Sequence, residues 1–236
     1  MIHKTFGTLV FLIIAIVFSS CQPCMDGQGE ITTVTRELKD FSKLKINIPA
    51  DVFLIVGGEP SIIIKTHENI IQKINSKVRG KTLHIDADRC IGSVDKLRVE
   101  IVINELSDIS LNGSGSIKST SKINTDKLSI EINGSGDIGL DLLANSIDSK
   151  INGSGDIILD GTTKNLRVKI NGSGDFKGLS LQSYNTAVEV NGSGGVKVNS
   201  KTTLYVDVKG SGSVKYMGNP KIKTNITGSG QVKKVD

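Results

Sequence analysis

The chain of 236 residues contains no tryptophan, and aromatic residues make up only 4% of it. Proline is scarce at 4 residues, and this scarcity, with abundant isoleucine and valine, excludes a collagen-like chain or a disordered linker. The net charge of +5 is spread over single lysines rather than basic runs with interleaved aromatics, so the sequence predicts no nucleic acid partner. What remains is a chain of β-branched residues separated by Gly, Asn and Ser, which predicts an all-β fold.

The first twenty residues have the pattern of a lipoprotein signal peptide. Lys4 gives a positive start, and Phe6–Phe18 is an apolar run of 13 residues, shorter than the ~20 that a membrane span needs. The run ends in Ser19-Ser20-Cys21, with two small residues before a cysteine, as at the lipidation site of bacterial lipoproteins. We predict a signal peptide over 1–20 and lipidation of Cys21, which anchors the chain to a membrane. An ordinary cleaved signal peptide with an incidental cysteine is the alternative.

Two further cysteines, Cys24 and Cys90, make an even number in an oxidising compartment. A Cys24–Cys90 disulfide would fasten the polar segment 21–30, which we predict to be a flexible tether, to the rest of the chain. Two free thiols are the equal alternative. His67 and His84 are isolated rather than spaced as metal ligands, so we predict no metal site and no cofactor.

From residue 110 onward, one phrase recurs at a nearly fixed period. Its fullest form is Asn-Gly-Ser-Gly-Asp, and the first glycines of its seven copies lie 18 to 21 residues apart: Gly113, Gly134, Gly153, Gly172, Gly192, Gly210 and Gly228. A fixed period near twenty residues is the signature of a solenoid. Between copies the apolar residues alternate, as in Ile138-Gly139-Leu140-Asp141-Leu142, and this period of two is that of a strand.

These patterns predict a right-handed parallel β-helix, or β-solenoid, with about 18–21 residues per coil. Meandering antiparallel hairpins are the alternative, but they give no reason for the same turn to recur at every second corner. We expect a seven-repeat solenoid over 111–236 and, over 31–110, a β region that starts or caps it, so that 31–236 form one continuous body. One asparagine per coil is expected to bond its counterparts above and below in a ladder of structural turn residues: Asn112, Asn133, Asn152, Asn171 and Asn191.

Three aspartates, Asp137, Asp156 and Asp175, occupy one phase of consecutive repeats, which predicts a carboxylate column with steps of ~5 Å. Calcium binding and glycoside hydrolysis by paired carboxylates are two functional interpretations of such a column. Asp after a Gly-rich turn commonly caps the backbone, and its repetition favours this corner role over a unique site. We therefore predict no catalytic residue, and the alternative is a polysaccharide-active enzyme that uses this column.

The repeated phrase, together with Phe41-Ser42-Lys43-Leu44-Lys45-Ile46 and Asp51-Val52-Phe53-Leu54-Ile55, resembles the head GIN domain family. Its members are described as auto-transporter adhesins and are common in Bacteroidota as lipoproteins. The resemblance covers roughly residues 31–236, implies a β-helical fold and a cell-envelope location, and brings no catalytic residues. We expect an outer-membrane-anchored lipoprotein, facing the periplasm or the cell surface, that is a non-catalytic binding or structural module. The resemblance implies an adhesive role, with a glycan or a protein as ligand.

Overall fold

The computed structural model describes residues 23–236, so the predicted signal peptide and Cys21 lie outside the described part of the chain. Strands hold 70% of the residues and helix 2%, and no helix within 23–236 has the length and apolar character to cross a membrane. The elements are one helix, α1 (Glu68–Ile71), and the strands β1 (Ile31–Glu37), β2 (Lys43–Ile46), β3 (Asp51–Val56), β4 (Ser61–His67), β5 (Ile74–Arg79), β6 (Thr82–Ala87), β7 (Arg98–Ile103), β8 (Asp108–Gly113), β9 (Ser116–Ser119), β10 (Ile123–Gly134), β11 (Asp137–Gly153), β12 (Ile157–Gly172), β13 (Phe176–Gly192), β14 (Gly195–Gly210), β15 (Ser213–Met217), β16 (Lys221–Gly228) and β17 (Gln231–Lys234).

The repeats stack in parallel with equivalent positions side by side. Asn133 pairs with Asn152, Asn152 with Asn171 and Asn171 with Asn191, so neighbouring coils are offset by the predicted period. The whole stack forms a β-solenoid of about 7 turns. The predicted all-β solenoid is confirmed, and the hairpin alternative is wrong for the repeats.

The core consists of columns of inward side chains that run along the stack. In β11 the alternation of buried residues continues past Leu142 to Ala144 and resumes at Ile147 after a corner. Each fully buried Val, Leu or Ile contributes about 1.5–3 kcal/mol relative to exposure. A single coil has no partner for its inward face, so this stabilisation arises only when the coils stack. One such column contains Ile132, Ile151, Ile170, Val190 and Val208, all fully buried.

The first coil of the chain is not the first coil of the stack. β2 pairs in parallel with β6 on one side and with β8 on the other, and β3 lies in the same way between β7 and β9. Residues 41–56 are therefore inserted between the coil built from 82–103 and the coil built from 108–119. The order along the axis differs from the order along the chain at this end only.

Antiparallel strands close the same end. β5 pairs with β6, β4 pairs with β7, and β1 covers β4. Ile70 and Ile71 of α1 are buried against the core. Residues 31–110 thus both start the stack and cap it, and the cap occupies an edge that would otherwise be free to pair with another chain.

The segment 23–30, which belongs to the predicted flexible tether, is attached to the body of the solenoid. Cys24 and Cys90 form a disulfide. Met25 accepts a backbone hydrogen bond of 2.8 Å from Gly92. The loop between β6 and β7 supplies hydrogen-bond partners for the backbone groups of this segment.

The opposite end of the stack is open. All eight residues of β16 are exposed, including Ile222 and Ile226, which continue the inward columns of β14. Lys221 and Lys223 on β16 and Lys233 on β17 place positive charge along this edge. Charged edge strands oppose edge-to-edge pairing between molecules.

Candidate functional site

The repeated corner carries a continuous ladder of asparagine side chains. The Nδ2 group of each asparagine donates to the Oδ1 atom of the asparagine one coil earlier, at 3.0 Å for Asn133, 2.7 Å for Asn152, 2.8 Å for Asn171 and 3.1 Å for Asn191. The structure therefore brings together all five asparagines singled out from the sequence. An amide has both a donor and an acceptor, so it can extend such a ladder in both directions.

The ladder includes a sixth residue that the sequence reasoning missed. Asn112 donates to the Oδ1 atom of Asn47 at 2.7 Å, so the ladder reaches into the inserted coil. The signal was present, because Lys45-Ile46-Asn47 repeats the Lys-Ile-Asn of Lys150-Ile151-Asn152. Asn47 could not be recognised from the repeated phrase, because Ile48-Pro49-Ala50 stands where the other copies have Gly-Ser-Gly.

The two glycines of each corner are required for different reasons. Gly153 has φ +135°, a backbone conformation that side chains rarely adopt. Gly155 has no positive φ, but a Cβ atom there would collide with the backbone oxygen of Gly136 in the coil below. The first glycine is therefore needed for its backbone conformation, and the second for close stacking of the coils.

The carboxylates of the aspartate column accept hydrogen bonds from backbone N–H groups. Asp137 Oδ1 accepts the N–H of Asp156 at 3.0 Å, and Asp156 Oδ1 accepts the N–H of Asp175 at 3.1 Å. Asp175 in turn accepts the N–H of Gly195 at 2.9 Å. Each carboxylate therefore links its coil to the next one, which is the corner role.

The second oxygen of Asp156 pairs with Lys177. This hydrogen bond raises the pKa of Lys177 above its ordinary value, and the charges of Asp175 and Asp137 act in the same direction. Across residues 23–236, no three His, Cys, Asp or Glu side chains are gathered closely enough to hold a metal ion.

The two histidines of the body and the serines of the repeated phrase occupy different parts of the structure. His67 contacts Gly29 O through Nδ1 at 2.9 Å and Asp95 through Nε2 at 3.4 Å, which secures the N-terminal segment. His84 stands opposite Lys45 on β2. The serines of the repeated phrase are exposed at the corners: Ser114, Ser135, Ser154, Ser173 and Ser193.

A depression lies on the outer face formed by the second halves of β11, β12, β13 and β14. Two grooves of 480 and 490 Å³ meet there and share Asp148, Arg167, Ala187 and Tyr205. These four residues form one column, each being the register partner of the next. The column is interrupted at Ala187, because a methyl group stands between the longer side chains of Arg167 and Tyr205. We refer to these four residues as the Ala187 depression.

The charges beside the depression are mostly paired. Lys150 contacts Glu131, and Lys169 contacts Glu189, both at 2.9 Å. The hydrogen bond from Lys169 lowers the pKa of Glu189 below its ordinary value. Arg167 is exposed and forms no ion pair with any residue of the described part of the chain.

Aromatic side chains are few, and two of them are exposed near this face. Tyr205 in the depression is 43% exposed, and Tyr184, one residue before Asn185 at the groove margin, is 52% exposed. By contrast, Phe41 and Phe176 are buried in the core. Tyr205 therefore gives the outer face exposed aromatic surface in a chain with little of it, whereas Tyr184 lines neither of the two grooves.

Crystal structures of other proteins share this fold. A "putative adhesin" from Bacteroides fragilis superposes with a TM-score of 0.86 at 24% identity, covering 89% of this chain and 100% of that chain. A "putative lipid binding protein" from Parabacteroides distasonis gives 0.76 at 21% identity, covering 91% of this chain and 100% of that chain. A "putative adhesin" from Parabacteroides merdae gives 0.69 at 20% identity, covering 90% and 99%. At such identities the likeness establishes the fold.

Sequence comparisons identify the family. No curated protein sequence matches the chain. A family model described as "Putative auto-transporter adhesin, head GIN domain" matches residues 40–220, which include the inserted coil and most of the repeats. The resemblance found in the repeated phrase is confirmed, and the chain belongs to the head GIN domain family.

Proposed function

We propose that the chain is an outer-membrane lipoprotein, anchored through Cys21, whose solenoid is a non-catalytic adhesive module that faces the cell surface. The family description and the small-small-Cys motif support this assignment. The aspartate column, which was the one catalytic candidate of the sequence, is engaged in bonds between coils. No observation favours the enzyme over this role.

The observation that carries the proposal is the separation of the anchored end from the exposed aromatic face. The Cys24–Cys90 disulfide fastens the chain, three residues after Cys21, to the loop that follows β6. From Thr82 on β6 to Ala187 the register partners pass through six coil spacings. At ~4.8 Å per coil the distance is roughly 29 Å. A rod fixed at one end holds its far face away from the lipid surface.

Adhesion of intact cells tests this function. Cells that produce the full chain are compared with cells that lack it and with cells that produce the Cys21→Ala chain, which has no site for the lipid. We expect adhesion to glycan-coated and matrix-protein-coated surfaces only with the anchored chain. Equal adhesion of all three strains to every surface would contradict the proposal.

A further inference from the structure

We propose that the Ala187 depression binds an acidic saccharide, with one sugar ring against Tyr205 and the carboxylate or sulfate group of the sugar on Arg167. The proposal rests on the adhesive function and names the chemical class of the ligand and the place where it binds.

Tyr205 supplies the aromatic platform. Its side chain is 43% exposed on an outer face where the neighbouring outward positions of its column are Ala187 and Lys223. A tyrosine ring offers an apolar face together with a polar hydroxyl group. The C–H face of a sugar ring packs on such a surface while the sugar hydroxyls remain free to form hydrogen bonds.

Arg167 supplies the charge that selects an acidic sugar. Its planar guanidinium group matches a carboxylate or sulfate in geometry, and it has no ion-pair partner within residues 23–236. The lysines at the next outward position, Lys150 and Lys169, are already paired with glutamates. Among the four residues of the depression, Arg167 is therefore the cation that an incoming anion meets, and exposed Lys127 at the margin of the same groove also has no ion-pair partner within residues 23–236. Asp148, directly opposite Arg167, can accept hydrogen bonds from sugar hydroxyls.

The spacing suits one ring. Arg167 and Tyr205 are two coils apart, which is roughly 10 Å. Ala187 forms the floor between them, and its methyl group leaves the space above it open. Asn185 and Thr203, bonded to each other at 2.9 Å, line the groove beside the floor and provide further polar contacts.

A peptide is less well suited to this face. Extended peptides commonly bind by pairing with a free strand edge. Here β13 is paired with β12 on one side and with β14 on the other, so its backbone has no free edge at Ala187. Recognition at this place must depend on side chains, as in binding of a sugar.

Binding measurements on the purified full chain test the proposal. The probes are a panel of uronic acid and sulfated oligosaccharides, uncharged oligosaccharides of the same lengths, and oligoglutamate as an acidic peptide. We expect binding of an acidic oligosaccharide that weakens as salt is raised. Arg167→Gln should lower its affinity roughly tenfold or more, the equivalent of one charge-assisted hydrogen bond. Ala187→Leu, which fills the depression from an outward position, should abolish binding.

Matched variants separate the site from general effects. Tyr205→Ala should weaken binding, whereas Tyr184→Ala, which removes the other exposed tyrosine, should not. Lys118→Gln removes an exposed cation from another part of the surface and should leave affinity unchanged. Circular dichroism and thermal melting show whether each variant retains the fold.

The outcomes distinguish this inference from the adhesive function itself. The inference is overturned if no acidic oligosaccharide binds, if oligoglutamate binds equally well, or if folded Arg167→Gln and Ala187→Leu chains bind like the wild type. In those cases adhesion of cells that is lost on deletion would leave the adhesive function standing. Failure of the anchored chain to support adhesion would contradict the proposed adhesive function as well.

Discussion

The side-chain amide of Asn112 donates a hydrogen bond of 2.7 Å to Oδ1 of Asn47, a residue 65 positions earlier in the chain. This contact joins the repeats to the inserted coil, which is built from β2 and β3. After that coil the chain forms the capping strands β4 and β5, with α1 between them. The asparagine ladder therefore fixes the register between parts of the chain that are distant in sequence.

The ladder predicts a ranking of substitutions at Asn152. Asn152→Ala removes one donor and one acceptor from the middle of the ladder and should destabilise the fold by about 1–3 kcal/mol. Asn152→Asp should cost more, because a carboxylate oxygen would then face Oδ1 of Asn133. Urea unfolding gives both values. Asn124→Ala, at an exposed position, is the control and should stay within about 0.5 kcal/mol of the wild type. An Asn152→Asp chain as stable as the wild type would refute the ladder.

The corner glycines predict a second ranking. Gly57, in the turn after β3 and outside the repeated corners, is the reference: Gly57→Ala bears only the cost of positive φ, about 1–2 kcal/mol, since nothing lies near its Cβ position. Gly155→Ala bears only a clash with the coil below, which costs about 1–3 kcal/mol or more. Gly153→Ala bears both and should be the least stable of the three in thermal unfolding. If Gly155→Ala were harmless, the coils would not be packed as closely as described.

A buried serine offers a stabilising substitution. Ser149 is fully buried in an inward column, and its Oγ atom has no hydrogen-bond partner in the described part of the chain. Its register partners, Ile130 and Val168, are aliphatic. Ser149→Ala should raise the free energy of unfolding by roughly 1 kcal/mol, because an unsatisfied buried hydroxyl is costly. Ser129→Ala, at an outward position, should have little effect, and a destabilised Ser149→Ala chain would reveal a partner for the hydroxyl.

Substitutions of Asp156 distinguish a structural role at the corner from a catalytic role. Asp156→Ala loses the acceptor for the N–H of Asp175 and the partner of Lys177, and should destabilise the fold by about 1 kcal/mol. Asp156→Asn keeps an acceptor for the N–H of Asp175, so this chain should be more stable than the Asp156→Ala chain. The pKa of Lys177 should fall back towards its ordinary value, because the neighbouring negative charge is lost. Titration by NMR measures that pKa. A folded Asp156→Asn chain that had lost a polysaccharide hydrolysis shown by the wild type would instead establish an enzyme.

The repeats could be predicted from the sequence because their physics is local. Gly-Ser-Gly at a fixed period specifies a corner, and alternating apolar residues specify the inward face, so parallel stacking follows from the phrase itself. The aspartates could be assigned to the corner for the same reason. The grooves around Ala187 could not be foreseen, because Asp148, Arg167 and Tyr205 are unremarkable until the register places them in one column.

The N-terminal coils could not be predicted, because strand patterns alone do not fix the order of stacking. At Ala50 the corner lacks its second glycine. The coil below leaves the stack at Ala87 and returns at Arg98, and a groove lies between Ala50 and that loop. Ala50 can therefore carry a side chain at this position, because no corner of another coil is stacked beneath it. The coil above has the usual constraint, since a Cβ atom on Gly115 would lie 2.8 Å from the Ala50 oxygen.

Surface exposure of the outer face tests the adhesive role most directly. A cysteine introduced at Ala187 is exposed to a membrane-impermeant thiol reagent on intact cells and on cells whose outer membrane has been opened. The wild-type chain, with Cys24 and Cys90 joined in a disulfide, serves as the unlabelled control. We predict equal labelling of the Ala187→Cys chain in both preparations. Labelling only after the membrane has been opened would place the face in the periplasm and contradict adhesion to external surfaces.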